Sequence, residues 1–171
     1  SNISGGNNTA VGNSALGNNT TASNNVAVGK YAMLNNTTGT ANVGIGLDAL
    51  KHNTTASNNS ALGSYALTEN TTGSSITSVG YRALQKNTTA SNNTAVGTDS
   101  LRLNTTGARN TAIGDTALDA NTTGNDHVAI GVSALGSNTT GNYNVAIGRN
   151  SLATNSTGES NVAVGLSALT S

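Results

Sequence analysis

NTTASNNVAVGKYAMLNNTTG, Asn19–Gly39, opens and closes on the same three residues, Asn-Thr-Thr, and the phrase returns to the end of the chain. A catalytic centre needs a few unlike groups placed once. A phrase written many times builds a rod, a sheet or a lattice. Short aliphatics precede Gly12, Gly29, Gly46, Gly63, Gly80, Gly97, Gly114, Gly131, Gly148 and Gly165, and every gap is 17 residues. The 171 residues make ten such units and one residue over, so 1–171 reads as a single uncapped tandem array, a window of a longer chain.

The ten copies serve as an alignment inside one chain. Val, Ile or Leu precedes each Gly, as at Val28, Ile45 and Leu62, and a small residue stands before that, as at Ala27, Gly44 and Ser78. Leu follows four residues after Gly, with Met33 once, and Ala or Ser stands before the Leu. The consensus is N-x-A-V-G-x-x-A-L-x-x-N-T-T-G-x-x. Other positions vary, as in Lys30-Tyr31, Tyr81-Arg82 and Asp115-Thr116, and are expected to face solvent.

Composition narrows the function classes. Charged residues are 8% and aromatics 2%, with no Phe or Trp, against roughly 25% charged in ordinary domains. Large side chains dominate compact cores, so a thick globular core is not expected. Seven basic and seven acidic residues, with no charged run, leave no electrostatic basis for binding nucleic acid or an anionic membrane. No stretch approaches the ~20 apolar residues of a membrane span, and without cysteine there is neither a disulfide nor a thiolate metal site. Zero Pro and recurrent aliphatics argue against disorder.

Seventeen residues are too few for two packed helices and their turns. The words N-[TV]-A-V-G alternate with the period of a strand, and Gly and Asn-Thr-Thr-Gly punctuate them as turns. The expected fold is all-β: a parallel β-solenoid, or β-roll, of ten 17-residue coils, each hydrogen-bonded to the next at ~4.8 Å. Identical positions would then stack as Val/Ile, Leu and Asn ladders, and one inserted residue would break every row. The Val or Ile before Gly and the Leu are the expected core. The rows of small residues are expected to admit a neighbouring backbone, or else to fit a cramped coil interior. Gly in all ten copies implies a backbone angle or a close approach that no Cβ allows. The Ala22/Gly39/Ala56/Gly73 alternation implies a corner that does not need positive φ and a 34-residue superperiod, as of duplicated coil pairs.

The words N-T-A-V-G at Asn8–Gly12 and N-V-A-I-G at Asn144–Gly148 resemble the head repeats of trimeric autotransporter adhesins, YadA-like left-handed parallel β-rolls, and related repeat arrays of phage and virus tail fibres. The resemblance covers the whole chain. It implies a left-handed coil, a trimeric or bundled surface fibre, and a role in attachment to a host-surface or glycan receptor. The unit here is longer than the adhesin repeat and adds the Asn-Thr-Thr corner. No catalytic residue, cofactor or metal is implied.

Candidate sites follow from single rows. Asn19, Asn36, Asn53, Asn70, Asn87, Asn104, Asn121, Asn138 and Asn155 each open an N-x-[ST] acceptor for glycosylation. The alternative is corner chemistry, with Asn favouring turns and Thr hydroxyls bonding backbone. Ice binding would need two Thr on one strand face, whereas Thr20 and Thr21 are adjacent. The Asp residues lie on different positions of the repeat and form no calcium ladder, and His52 and His127 are expected at the surface. The row of Asn8 is expected to be an internal amide ladder. Tyr31, Tyr65, Tyr81 and Tyr143 lie on variable positions, as fibre contacts or plain surface. The sequence thus reads as a non-enzymatic, extracellular or virion-surface fibre segment acting as shaft, spacer or adhesive surface. A phage or virus fibre shaft and an ice-binding solenoid are the alternatives.

Overall fold

A computed structural model describes residues 2–170. They hold no helix and ten three-residue strands: β1 (Thr9–Val11), β2 (Val26–Val28), β3 (Val43–Ile45), β4 (Ser60–Leu62), β5 (Thr77–Val79), β6 (Thr94–Val96), β7 (Thr111–Ile113), β8 (Val128–Ile130), β9 (Val145–Ile147) and β10 (Val162–Val164). They form one sheet in sequence order, each parallel to the next. The register advances by one repeat at every step, as in Val26↔Val43 and Ser60↔Thr77. The chain is therefore a parallel β-solenoid, with ten coils giving a rod of about 48 Å at the usual strand spacing.

The strands are short because Gly ends them. All ten of these glycines have φ between 125° and 137°, where side chains are not tolerated. A Cβ on Gly80 would also lie 2.4 Å from the carbonyl oxygen of Gly97 on the next coil. Both reasons expected from the sequence apply together. The corner of Ala22 and Gly39 needs no positive φ, also as expected.

After Gly the chain turns twice. In the third coil Asp48 and Leu50 have φ of 56° and 51°, with Ala49 between them, and the pattern recurs in every copy. Amides there bond alternately within the coil, Ala49 N–H to the Gly46 carbonyl at 3.4 Å, and to the next coil, Leu50 N–H to the Ala66 carbonyl at 3.0 Å. A left-handed Leu costs roughly 1–2 kcal/mol. Its burial returns about 1.5–3 kcal/mol, and Leu50, Leu67, Leu84, Leu101, Leu118 and Leu135 are completely buried.

The strand faces correct one expectation. The central residue of every strand from β2 to β10, such as Ala27, Ala61, Ala95 or Ala112, is buried, while the Val or Ile before Gly points outward. Val11, Leu62 and Ile113 are 57%, 50% and 40% exposed. A strand alternates faces, and this coil is so narrow that only a methyl fits beneath its centre. The β-branched ladders do stack, but on the outside. The small-residue rows fill the interior and open no path to a neighbouring backbone.

The interior therefore has two halves. Leu and two Ala rows form the apolar half. Asn supplies the other.

Candidate functional site

The Asn19 row lies inside the rod. Asn36, Asn53, Asn70, Asn87, Asn104, Asn121 and Asn138 are completely buried and Asn19 nearly so, while Asn155 is half-buried. Each Nδ2 donates twice. That of Asn87 reaches Oδ1 of Asn70 at 2.9 Å and the carbonyl of Ala90 at 3.0 Å. That of Asn121 reaches Oδ1 of Asn104 at 2.8 Å and the carbonyl of Gly124 at 3.0 Å. The atom that a glycan would take is thus the atom that stitches neighbouring coils, and a glycan on Nδ2 and this ladder exclude each other. The Asn favours the corner, as turn chemistry suggests, but it points inward.

The row expected to be internal is internal. Oδ1 of Asn25 accepts the backbone N–H of Asn42 at 2.9 Å, and Nδ2 of Asn25 donates to the Gly39 carbonyl at 3.0 Å. The Gly39 carbonyl also accepts from Asn36 at 2.9 Å, so the two amide rows meet on one line of carbonyls.

His127 occupies this second row, so its expected surface position is corrected: it is 1% exposed. Its Nδ1 accepts the Asn144 N–H at 3.2 Å, which puts the proton of the neutral ring on Nε2, beside the Gly141 carbonyl and 3.2 Å from Nδ2 of Asn138. Burial pushes the imidazole below its ordinary value, against the opposing pull of those backbone contacts and Asp126. His52 is exposed, as expected.

The same acceptor signal also occurs outside the Asn19 row. Asn7-Asn8-Thr9, Asn58-Asn59-Ser60 and Asn92-Asn93-Thr94 fit N-x-[ST] in one frame, and Asn7, Asn58 and Asn92 are exposed; Asn2-Ile3-Ser4, Asn18-Asn19-Thr20 and Asn35-Asn36-Thr37 fit it as well. The overlap of paired asparagines hides most of these in the sequence.

The threonines divide as their adjacency requires. Thr21, Thr38, Thr55, Thr72 and Thr89 face solvent in single file. The hydroxyls of the preceding row donate to the next coil, as from Thr20 to the Thr37 carbonyl at 3.0 Å.

Ion pairs likewise join successive coils on the surface. Arg109 grips Asp126 with two bonds of 2.7 and 2.8 Å, and Arg102 grips Asp119 at 2.9 and 3.1 Å. Arg109 holds the Asp126 carboxyl below the usual carboxylate range.

One edge of the rod is chemically uneven. Lys30 and Lys51 sit 4.9 and 5.3 Å from the ring centre of Tyr31. Tyr65 meets Tyr81 edge to face at 6.0 Å, and Arg82 lies 4.8 Å from the Tyr81 ring. Three of the four tyrosines, expected as fibre contacts or plain surface, are thus brought to one side. Tyr143 stands apart and is 59% exposed. Among the described residues no group of three or more His, Cys, Asp or Glu is placed to hold a metal ion. Among the described residues no helix is long and apolar enough to cross a membrane. Comparison with protein-family models, with curated proteins and with solved structures gave no match.

Proposed function

We propose that the chain is a non-enzymatic fibre segment displayed outside a cell or on a virion, a stiff shaft whose sides offer an adhesive surface. The observation that supports this reading most is the constant register: nine successive parallel pairings advance by one repeat each, with no loop interrupting the stack. Such a stack extends by adding coils without redesigning any, and its stability grows as a sum over neighbours. The resemblance to adhesin heads and tail fibres points the same way.

The shaft self-associates along the outward Val and Ile rows. Ile113, Ile147 and Val164 are 40%, 37% and 67% exposed, in columns that run the length of the sheet. Continuous apolar surface of this kind marks interaction sites. A partner that contacts every coil must repeat at the same spacing, which a second copy does. Light scattering and electron microscopy of the purified chain test the reading. The expected result is straight particles of constant width, in multimers that Ile113→Lys disperses. Compact monomers of irregular outline would refute it.

A further inference from the structure

Rows that repeat along the rod define a lattice, whereas recognition needs unlike groups placed once. On this molecule they gather on the Tyr31 edge. Tyr31, Asp48 and Tyr65 occupy one column on three successive coils, each 17 residues after the last. The two phenols therefore stand two coil rises apart, roughly 9–10 Å along the axis, with a shorter carboxylate between them.

That carboxylate is unusual. Oδ1 of Asp48 is the one buried side-chain nitrogen or oxygen among the described residues that has no hydrogen-bond partner. A buried acceptor without a donor is costly and calls for an explanation. Its sister Oδ2 lies 3.4 Å from Nζ of Lys51, the same ammonium that lies 5.3 Å from the centre of the Tyr31 ring. The rings are braced before anything binds: Tyr31 by the ammonium of Lys30, and Tyr65 by the ring of Tyr81. Bracing lowers the ordering cost of binding.

We propose that the notch between Tyr31 and Tyr65 binds a sugar ring of a neutral glycan, with the Asp48 carboxylate accepting its hydroxyls. Phenol rings present flat apolar faces with a polar tip, which suits a pyranose with a C–H face and hydroxyl rim. Oδ1 of Asp48 takes the hydroxyl donor it lacks, and Lys51 swings aside. The nearby cations Lys51 and Arg82 already face Asp48 and Asp99, and Lys30 lies against the Tyr31 ring, so the edge carries no cluster of positive charge to attract an acidic sugar. The large apolar side chains exposed beside the notch are Leu47, at 37%, and Tyr81, at 45%, a narrow footing for a peptide.

This deepens the reading of the rod as an adhesive surface and is tested separately from it. An array of neutral gluco-, galacto- and manno-oligosaccharides, with sialylated glycans and gelatin as further probes, is offered to the intact chain. The expected result is binding to at least one neutral series, weakened about tenfold or more, the weight of ~1.4 kcal/mol, by Tyr31→Ala, Tyr65→Ala and Asp48→Ala. Thr89→Ala, on another face, binds as the parent does. Asp48→Ala removes the unsatisfied atom together with the Lys51 contact and leaves Ala at φ 56°, so its melting point is measured beside its binding. Should an alanine variant misfold by circular dichroism, Tyr31→Leu keeps the bulk without the flat ring and must also bind weakly. Binding to none of the neutral series, binding only to sialylated glycans or gelatin, or unchanged binding by the variants overturns the site. Particle shape by electron microscopy is untouched by any of these, so the shaft reading stands or falls apart from the site.

Discussion

The two halves of the coil interior solve the same problem by different means. On one side Leu84, Leu101 and Leu118 stack on Ala rows and exclude water. On the other, Asn87, Asn104 and Asn121 stack on each other and commit both amide hydrogens, one to the amide of the preceding coil and one to a carbonyl of their own corner. The apolar half is held by contact, which falls off gradually as atoms shift. The amide half is held by directional bonds, which weaken steeply with misalignment. The repeat has no insertions for this reason: Leu would tolerate a slipped coil better than Asn would.

The most damaging substitution falls on the residue that serves both halves. Gly97→Ala combines backbone strain of about 1–3 kcal/mol with overpacking of about 1–3 kcal/mol, since its Cβ would lie 2.4 Å from the Gly114 oxygen. Urea unfolding is expected to show loss of several kcal/mol, or no cooperative transition. A pair of truncations in one region then sets the two halves against each other. Leu101→Ala opens a cavity at a cost of about 2–5 kcal/mol. Asn87→Ala leaves Oδ1 of Asn70 and the Ala90 carbonyl each short of a donor, at about 1–3 kcal/mol per unsatisfied group. Asn87→Leu, which keeps the volume, should be no better than Asn87→Ala, whereas Leu101→Met should cost under about 1.5 kcal/mol. Equal tolerance on both sides would show that the amides are mere filler.

How much of this was legible in the sequence differs by row. The Gly row was readable in full, because an invariant residue without a side chain has few explanations and both of them hold at Gly80. The outward turn of Val28 and Ile113 was not readable. Alternation shows that neighbours face opposite ways, but in a three-residue strand it does not say which face is inside. Interior width decides that, and it is a property of the closed coil. Leu50 at φ 51° runs against propensity, which gives left-handed positions to Gly and Asn. The inward Asn19 row was hidden by the ordinary preference of Asn for exposed corners. Only a stack of identical neighbours provides the partners that offset the cost of its burial. The column of Tyr31, Asp48 and Tyr65 follows from the 17-residue spacing, but the unpaired Oδ1 of Asp48 does not, because it depends on how the side chains pack once the coils close.

A smaller test uses the one titratable group that the amide half contains. His127 replaces Asn in the second ladder and must accept the Asn144 N–H through an unprotonated Nδ1. The other titratable or charged groups near it are Asp126, one residue before, and the Arg109 paired with that aspartate. The folded imidazole has a lowered affinity for protons, while the unfolded chain binds one near the ordinary 6.5. The contribution of this group to stability is therefore full above that pH and declines as the pH falls through it, until the folded form protonates in turn. His127→Asn restores the ladder residue and should flatten this part of the pH–stability curve. The gap between parent and variant is expected to be wider at pH 5 than at pH 8, each tenfold loss of proton affinity on folding widening it by about 1.4 kcal/mol. Curves that stay parallel from pH 8 to pH 5 would mean that the ring protonates freely in place.

The smallest change in stability carries a large consequence for biosynthesis. Thr89 is the third residue of the acceptor Asn87-Thr88-Thr89, yet it faces solvent, whereas Asn87 is buried. Thr89→Ala should alter stability by no more than about 0.5 kcal/mol, as at other surface positions, while abolishing the acceptor signal. The same holds for each outward Thr of the row. A transferase that modified Asn87 before the coil closed would leave a glycan where the ladder needs a hydrogen-bond donor. Secretion through a glycosylating eukaryotic pathway is therefore expected to yield misfolded chains modified on the Asn19 row. Replacing the outward threonines should rescue folding, with mass spectrometry then finding glycan only at exposed acceptors such as Asn58 and Asn92. Folded secreted rods with glycan on Asn87 would erase the contrast between the two halves, because they would show that the amide row can be opened to solvent while the Leu row holds the coil alone.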